Sequence, residues 1–362
     1  MVLTHRRSRA ISRYLPDEVI NEIIQNVPRS DLLTLCQLSK LFHGLAVSAL
    51  YRVIKLDTFT SIKSFCRAVL SNPRLAASVR SFTARCYQRF GLGRDTDPIA
   101  LVLRAVKLFF RLEHLVIAIA LFKEEHRRAF LQWSFPCLVN CSMTLTTSGA
   151  TAPLLSSFLL RHPALASFSS SLSNLKFDAP LPIPLSNLRG LHAPVTLVPW
   201  IMTRDLREVK LSWGSKSLGH DVEKTILALK SMIPAETPFI CSNDYCEDYF
   251  TAVVDSVSRH LPHTRTLDIR RNGPMHPGDA RIAYARECLA RFAYLVFLSI
   301  HTTSNHASFT MAEARTMAEH FGDVCPSLEA CRFSADAAWR RVNGTWEKFP
   351  SRDFAMLAGI TF

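Results

Sequence analysis

The segment from Leu15 to Tyr51 constrains this chain more than any other part, because it places three short helical patterns within fewer than forty residues. A segment of that size buries too little apolar surface to be well stabilised alone. Its apolar content is nevertheless high. We therefore expect it to complete its packing by docking on another polypeptide.

The first helical pattern follows Leu15 and Pro16. A proline fits the start of a helix, where its missing N–H costs nothing. The acidic residues Asp17 and Glu18 come next, near the positive end of the helix dipole. The aliphatic residues of the pattern recur at helical spacing and form one broad apolar stripe; they are Val19, Ile20, Ile23, Ile24 and Val27. Pro28 ends the pattern, because the residue before a proline is disfavoured in helical geometry.

Two further patterns complete the segment. The second begins near Ser30 and Asp31, which are good helix caps, and its apolar residues are Leu32, Leu33, Leu35 and Cys36. The third follows Ser39 and Lys40, and its apolar residues are Leu41, Phe42, Leu45, Ala46 and Leu50. Some of these apolar residues can form the core between the three helices. The other apolar residues then face outward, and we expect them to form a protein-binding surface.

The ordered motifs of this segment resemble those of the F-box family. They are Leu15-Pro16-Asp17-Glu18, Ile23-Ile24, Val27-Pro28, Asp31-Leu32-Leu33, Ser39-Lys40-x-Phe42 and Leu50-Tyr51. Phe42 stands where many members have Trp, and Leu38 stands where many have Val; both keep an apolar side chain of usable size. A helical hairpin within a larger domain is the alternative interpretation, which explains the periodicity but not the ordered motifs.

The resemblance implies a partner and a set of contact residues. Members of the family bind a Skp-type adaptor and, through it, a cullin. The adaptor-binding residues expected on this basis are Leu15, Pro16, Ile20, Ile23, Ile24, Leu32, Leu33, Leu38 and Phe42. Some of them must instead form the three-helix core, and the sequence alone does not apportion them.

The chain after residue 55 carries an irregular internal repeat. Its unit is an apolar residue, two variable residues, an apolar residue, one variable residue and a third apolar residue. Clear copies start at Leu112, Leu138, Leu188, Leu206, Leu295 and Leu328, and weaker copies start at Val79, Leu165, Glu236 and Thr264. Helical patterns lie between the copies, so the sequence predicts helices that alternate with short strands. Stacked units of this kind form a solenoid with a parallel sheet on its concave face.

These repeats resemble the divergent leucine-rich repeats found after F-boxes. The asparagine that commonly follows the repeat anchor is absent, so we expect an irregular arc. An ordinary α/β domain is the alternative. The predicted fold class is accordingly α/β, a three-helix F-box followed by an irregular leucine-rich-repeat-like solenoid of helices and short parallel strands. The predicted domains are a basic flexible arm over 1–13, the F-box over 14–55 and a substrate-recognition domain over 56–362.

The composition limits the classes of protein to which this chain can belong. The 362 residues are 48% apolar, which is ample for a folded core. Charged residues interrupt the most apolar run, 99–122, so no membrane span is expected, and the basic residues of 1–13 lack the apolar core of a signal peptide. The net charge of +13 is spread along the chain without a recognisable nucleic-acid-binding module. We expect a protein of the cytoplasm or the nucleus.

No motif for catalysis or for cofactor binding is present in the sequence, so we predict no catalytic residue and no cofactor. No metal site is predicted either. The ten cysteines include no Cys-x-x-Cys pair, and a zinc site built from Cys241, Cys246 and His260 or His263 has wider spacing than structural zinc usually needs. Most cysteines lie in apolar patterns, as buried free thiols do.

The resemblance implies that this chain is the substrate-recognition subunit of an SCF-type (Skp–cullin–F-box) ubiquitin ligase. In that role the F-box binds the adaptor, the repeat domain binds an unknown protein substrate, and the chain performs no chemistry. Two alternatives stay open. One is an interaction scaffold that binds the adaptor without directing ubiquitination, and the other is a basic repeat protein associated with nucleic acid or a membrane surface.

Overall fold

The computed structural model describes residues 15–86, 98–119, 124–144, 152–171, 182–214, 221–234, 237–244, 249–271, 280–302, 309–334 and 337–360. The chain forms two compact units. The first contains residues 1–126 and 133–138, and the second contains residues 127–132 and 139–362. The predicted basic arm over 1–13 lies outside the described residues.

Three helices open the described part of the first unit: α1 (Asp17–Gln25), α2 (Arg29–Leu35) and α3 (Lys40–Arg52). Pro16 and Pro28 are the N-cap residues of α1 and α2. The second helix therefore begins slightly before Ser30 and Asp31, which the sequence favoured as caps. Ser39 caps α3, because its hydroxyl accepts a hydrogen bond from the Phe42 backbone N–H at 3.3 Å.

The rest of the first unit alternates strands with helices. These elements are β1 (Val53–Leu56), α4 (Phe59–Ser71), α5 (Pro73–Ala76), β2 (Ser81–Cys86), α6 (Pro98–Val106) and β3 (His114–Ile119). The three strands pair in parallel and in chain order. β1 was not predicted. It follows α3 without a loop, so the sheet begins within the range 14–55 that was predicted to be F-box alone.

One helix, α7 (Glu124–Leu131), contains a boundary between the two units. The second unit continues the alternation. Its elements are β4 (Asn140–Thr144), α8 (Ala152–Leu160), β5 (Ser167–Ser171), β6 (Ile183–Pro184), β7 (Gly190–Pro194), a 3₁₀ helix (Val195–Trp200), β8 (Ile201–Met202), β9 (Glu208–Ser212), α9 (Val222–Lys230), β10 (Phe239–Asp244), α10 (Phe250–His260), β11 (Thr264–Arg271), α11 (Ala280–Leu289), β12 (Phe297–Thr302), α12 (Met311–Val324), β13 (Ala330–Arg332), β14 (Ala337–Val342), β15 (Thr345–Pro350) and α13 (Ser351–Ala358).

The main sheet of the second unit is parallel over most of its width. Strands β4, β5, β7, β9, β10, β11, β12 and β13 pair side by side in chain order and in parallel. The last two strands, β14 and β15, are antiparallel. Strands β6 and β8 form a separate short parallel pair.

Within the described residues, every predicted copy of the repeat coincides with a strand or leads directly into one; Glu236, where one weaker copy starts, lies outside those residues. The second apolar residue of each clear repeat copy in the second unit, or its equivalent in the other strands, pairs in register with the corresponding residue of the neighbouring strand, so that these residues form one row across the sheet. This apolar row is Cys141, Phe168, Leu191, Val209, Cys241, Leu267, Leu298 and Cys331. All eight side chains are buried. The structure thus confirms an α/β fold in which helices alternate with strands in a mostly parallel sheet. None of the helices in the described ranges is long and apolar enough to cross a bilayer.

The second unit ends in the β14–β15 hairpin and α13. Trp339 of β14 and Trp346 of β15 are both buried, whereas Arg340 and Arg341 between them are exposed. Phe354 of α13 packs with Phe297, Ala330 and Ala338 in one apolar cluster. The two tryptophans therefore belong to the packing of this end of the sheet.

Candidate functional site

The three N-terminal helices form a small core of their own. Ile20, Ile24, Leu32 and Ala46 are buried in it. A ring of partly buried side chains packs around these four; it consists of Val27, Leu35, Cys36, Phe42, Leu45, Ala49 and Leu50. The i, i+4 spacing of Ile20 and Ile24 places both on one face of α1, which is the face that meets α3.

The same helices leave other aliphatic side chains in solvent. We call these residues the exposed apolar set: Leu15, Val19, Ile23, Leu33, Leu38 and Leu41. Leu33, Ile23 and Leu38 are 60%, 54% and 52% exposed, respectively. Val19 and Ile23 are four residues apart in α1 and so share a face of that helix. A concentration of exposed aliphatic residues on so small a domain is typical of a protein-binding surface.

The structure divides the residues that the resemblance marked for adaptor binding. Ile20, Ile24 and Leu32 lie in the three-helix core, and Phe42 is half-buried against it. The other marked residues are exposed; they are Leu15, Pro16, Ile23, Leu33 and Leu38. Val19 and Leu41 are exposed too, although the expected contact set omitted them. The spacing of four residues between Val19 and Ile23 is the signal that could have identified Val19.

Polar contacts hold the turn between α2 and α3 in place. Ser39 caps α3, and His43 Nδ1 lies 3.0 Å from the carbonyl oxygen of Cys36. Leu38 and Leu41 flank the cap residue. The cap therefore fixes the backbone at the positions that carry these two exposed side chains.

A cluster of polar side chains lies on the sheet of the second unit. The residues that follow the apolar row in sequence occupy the neighbouring register row and point to the opposite face. This polar row is Ser142, Ser169, His192, Lys210, Ser242, Asp268, Ser299 and Arg332. The repeat pattern indicates where these polar residues lie, since most of them occupy the variable position between the second and third apolar positions of their copies.

Ion pairs connect the polar row to Asp244 and Arg270, which lie two residues further along their strands than Ser242 and Asp268. Lys210 Nζ is 3.1 Å from Asp244 Oδ2, and Arg270 Nε lies 3.5 Å from the same carboxylate's Oδ1. Arg270 Nε is also 3.1 Å from Asp268 Oδ2, and Arg332 donates to Asp268 Oδ1 at 3.3 Å. Burial raises the pKa of Asp244 despite the cations beside it. It lowers the pKa of the Arg332 guanidinium.

Two histidines of this cluster are held neutral. Burial, followed by repulsion from Lys210, lowers the pKa of His192 to about 4. Burial, followed by repulsion from Arg332, lowers the pKa of His301 to about 4. Ser299 Oγ is 3.0 Å from His301 Nδ1, and Asp268 Oδ1 is 3.7 Å from that same nitrogen. A hydrolytic triad needs the serine and the carboxylate on different ring nitrogens, so this group is not arranged as one.

The cysteines of the described residues are free thiols, and most of them are buried. Burial raises the pKa of Cys66 and of Cys241 to about 12, which keeps both thiols protonated. Within the described ranges no three His, Cys, Asp or Glu side chains are grouped so as to hold a metal ion. Cys246 of the zinc combination considered above lies outside those ranges.

Comparison with known proteins bears on the N-terminal helices. Residues 14–50 match the family model described as the F-box domain. The match spans α1, α2 and almost all of α3, and so includes the whole exposed apolar set. No curated protein matches the chain. The three helices, their motifs and the family match agree, and residues 14–50 of this chain are an F-box domain.

Proposed function

We propose that this chain is the substrate-recognition subunit of an SCF-type ubiquitin ligase, with its F-box helices bound to a Skp-type adaptor. The exposed apolar set carries the proposal, because a partner that covers these side chains gains about 25 cal/mol for each Å² of apolar surface removed from water. The chain itself performs no chemistry. It raises the effective concentration of a bound target near the ubiquitin-carrying enzyme.

The residues after the F-box would hold the protein target in this proposal. The alternating helices and parallel strands support a leucine-rich-repeat-like solenoid. The buried free cysteines fit a reducing compartment, which supports a location in the cytoplasm or the nucleus.

Adaptor binding tests the proposal. We expect Ile23→Asp together with Leu33→Asp to weaken co-purification of a Skp-type adaptor with the full chain by more than about tenfold, since both variants place a charge where apolar contact is required. Leu227→Asp is the matched control, because Leu227 is an exposed leucine of α9, outside residues 14–50. Undiminished adaptor capture by the double variant, with the control also unchanged, would contradict the proposal.

Two measurements separate the alternatives. Turnover of a bound target that needs both adaptor and cullin supports a ligase receptor, whereas adaptor binding without such turnover supports a scaffold. A steep loss of partner binding with added salt would instead favour a basic repeat protein associated with nucleic acid or a membrane surface.

A further inference from the structure

A polar groove of about 340 Å³ lies within the first unit, between the F-box helices and the start of the sheet. Its lining comes from α1, from α3 and from the segments that lead into β2 and β3. Three arginines, Arg52, Arg80 and Arg111, line the groove, together with the hydroxyls of Ser48 and Ser78 and the carboxylate of Glu113.

Backbone pairing brings Arg52 and Arg80 together, and a side-chain contact links Arg80 to Arg111, although the three are distant in sequence. The Arg80 N–H donates to the carbonyl oxygen of Arg52 at 2.9 Å, and the Glu113 N–H donates to that of Arg80 at 2.8 Å. The Arg80 guanidinium donates to the carbonyl oxygen of Arg111 at 3.3 Å. The chain therefore places Arg52 and Arg80 side by side directly before β1 and β2, and Glu113 takes the equivalent position before β3.

The positive charge of the groove exceeds its negative charge. Arg80 Nη1 is 3.7 Å from Glu113 Oε1, a long contact between partly exposed side chains. Arg52 donates to the side-chain oxygen of Gln25 and lies at the carbonyl end of α3. Arg111 is exposed and has no ion pair with any described residue; its guanidinium carbon lies 5.8 Å from the centroid of the Phe110 ring. Three arginines and one glutamate thus line the groove.

The hydroxyl groups add further hydrogen-bonding capacity at the junction. Ser48 of α3 donates to Ser78, which precedes β2, at 3.1 Å between their oxygens. This contact links an F-box helix directly to the segment that enters the sheet. A ligand that binds both arginines and hydroxyls here would strengthen the same link.

We propose that this groove binds a phosphate group, with Arg80 and Arg111 as its principal contacts. The planar guanidinium presents paired N–H donors that match the oxygens of phosphate, and the excess of two positive charges complements a dianion. Binding would fasten the F-box helices to the first strands of the sheet. The proposal is independent of adaptor binding, because the exposed apolar set does not line the groove.

Calorimetric titration of the full chain with inorganic phosphate tests the site, at constant ionic strength and about pH 7.5, where the anion is mainly doubly charged. We expect Arg111→Gln to weaken phosphate binding by about tenfold or more, since it removes a charge-assisted contact. Arg67→Gln is the matched control: Arg67 is an exposed arginine of α4 that does not line the groove. Arg111 is also exposed, so its variant is expected to fold.

Comparison of inorganic phosphate with O-phospho-L-serine identifies the source of the group. Tighter binding of the ester indicates a phosphate carried on a larger molecule, and equal or weaker binding indicates the free anion; both outcomes support the site. The proposal is overturned if the wild-type chain binds neither compound. It is also overturned if Arg111→Gln binds as the wild type does, or if Arg67→Gln weakens binding equally, because diffuse positive charge would then be responsible.

Discussion

At the scale of single residues, Asp268 joins two arginines and a neutral histidine on the sheet. Its side chain is fully buried and contacts Arg270 Nε at 3.1 Å, Arg332 at 3.3 Å and His301 at 3.7 Å. Arg332 is almost fully buried as well, so its charge depends on this carboxylate for compensation. A buried pair of this kind is costly to break, because the remaining charge stays in a poorly solvated place.

We expect Asp268→Ala to lower the free energy of unfolding of the second unit by about 3–5 kcal/mol, since it leaves the Arg332 guanidinium buried without its carboxylate. Urea denaturation followed by circular dichroism measures the change. Glu319→Gln is the control, because the Arg315–Glu319 pair on α12 is exposed and its loss should cost less than about 0.5 kcal/mol. A cost for Asp268→Ala as small as that of the control would show that the pairing is not important for stability.

At the scale of secondary-structure elements, two helical glycines have opposite surroundings. A Cβ atom added to Gly322 of α12 would lie 2.7 Å from Cζ2 of Trp346 in β15. A Cβ atom added to Gly44 of α3 would have no neighbouring heavy atom within 4 Å. The first glycine therefore permits a close approach of helix and strand, whereas the second only lowers helix propensity.

We expect Gly322→Ala to destabilise the protein by about 1–3 kcal/mol through overpacking against Trp346. Gly44→Ala should instead stabilise it by about 0.5–1 kcal/mol, because alanine loses less backbone entropy in a helix. Thermal unfolding of the two variants checks both signs in one experiment. Stabilisation by Gly322→Ala would mean that α12 and β15 do not approach as closely as described.

At the scale of the whole molecule, the neutral histidines make stability depend on pH. His192 and His301 have folded-state pKa values lowered to about 4, whereas an unfolded histidine titrates near pH 6.5. The unfolded chain therefore binds more protons than the folded chain between these values. The stabilisation from keeping the two rings neutral is complete above about pH 6.5 and is lost as the pH falls towards about 4.

We accordingly expect the free energy of unfolding to fall by a few kcal/mol between about pH 7 and about pH 5. Urea midpoints at several pH values measure this, and the double variant with His192→Gln and His301→Gln should show a weaker dependence over the same range. Asp244, whose pKa burial raises, acts in the opposite sense. An NMR titration in which both native histidines protonate near pH 6.5 would contradict the prediction.

Much of the fold followed from local patterns, and much of the candidate site did not. The repeat anchors from Val79 to Leu328 marked the parallel strands, because burial on one face imposes an apolar spacing that is visible in the sequence. β1 was missed although Tyr51, Ile54 and Leu56 have the spacing of the repeat, because Tyr51 is also the last residue of the F-box motifs. Ile24 and Ile23 show the limit within the F-box: both are aliphatic and adjacent, yet one is buried and the other is exposed.

Local sequence was thus sufficient for the three F-box helices and the alternation of helices with strands, since helix periodicity and strand anchors depend on neighbouring residues. Three-dimensional pairing was needed to separate core from surface in the F-box. It was also needed to bring Arg52, Arg80 and Arg111 to one groove and to join Asp268 with Arg332. The physical reason is register: parallel strands align residues that are tens of positions apart, and no local pattern records which side chains then meet.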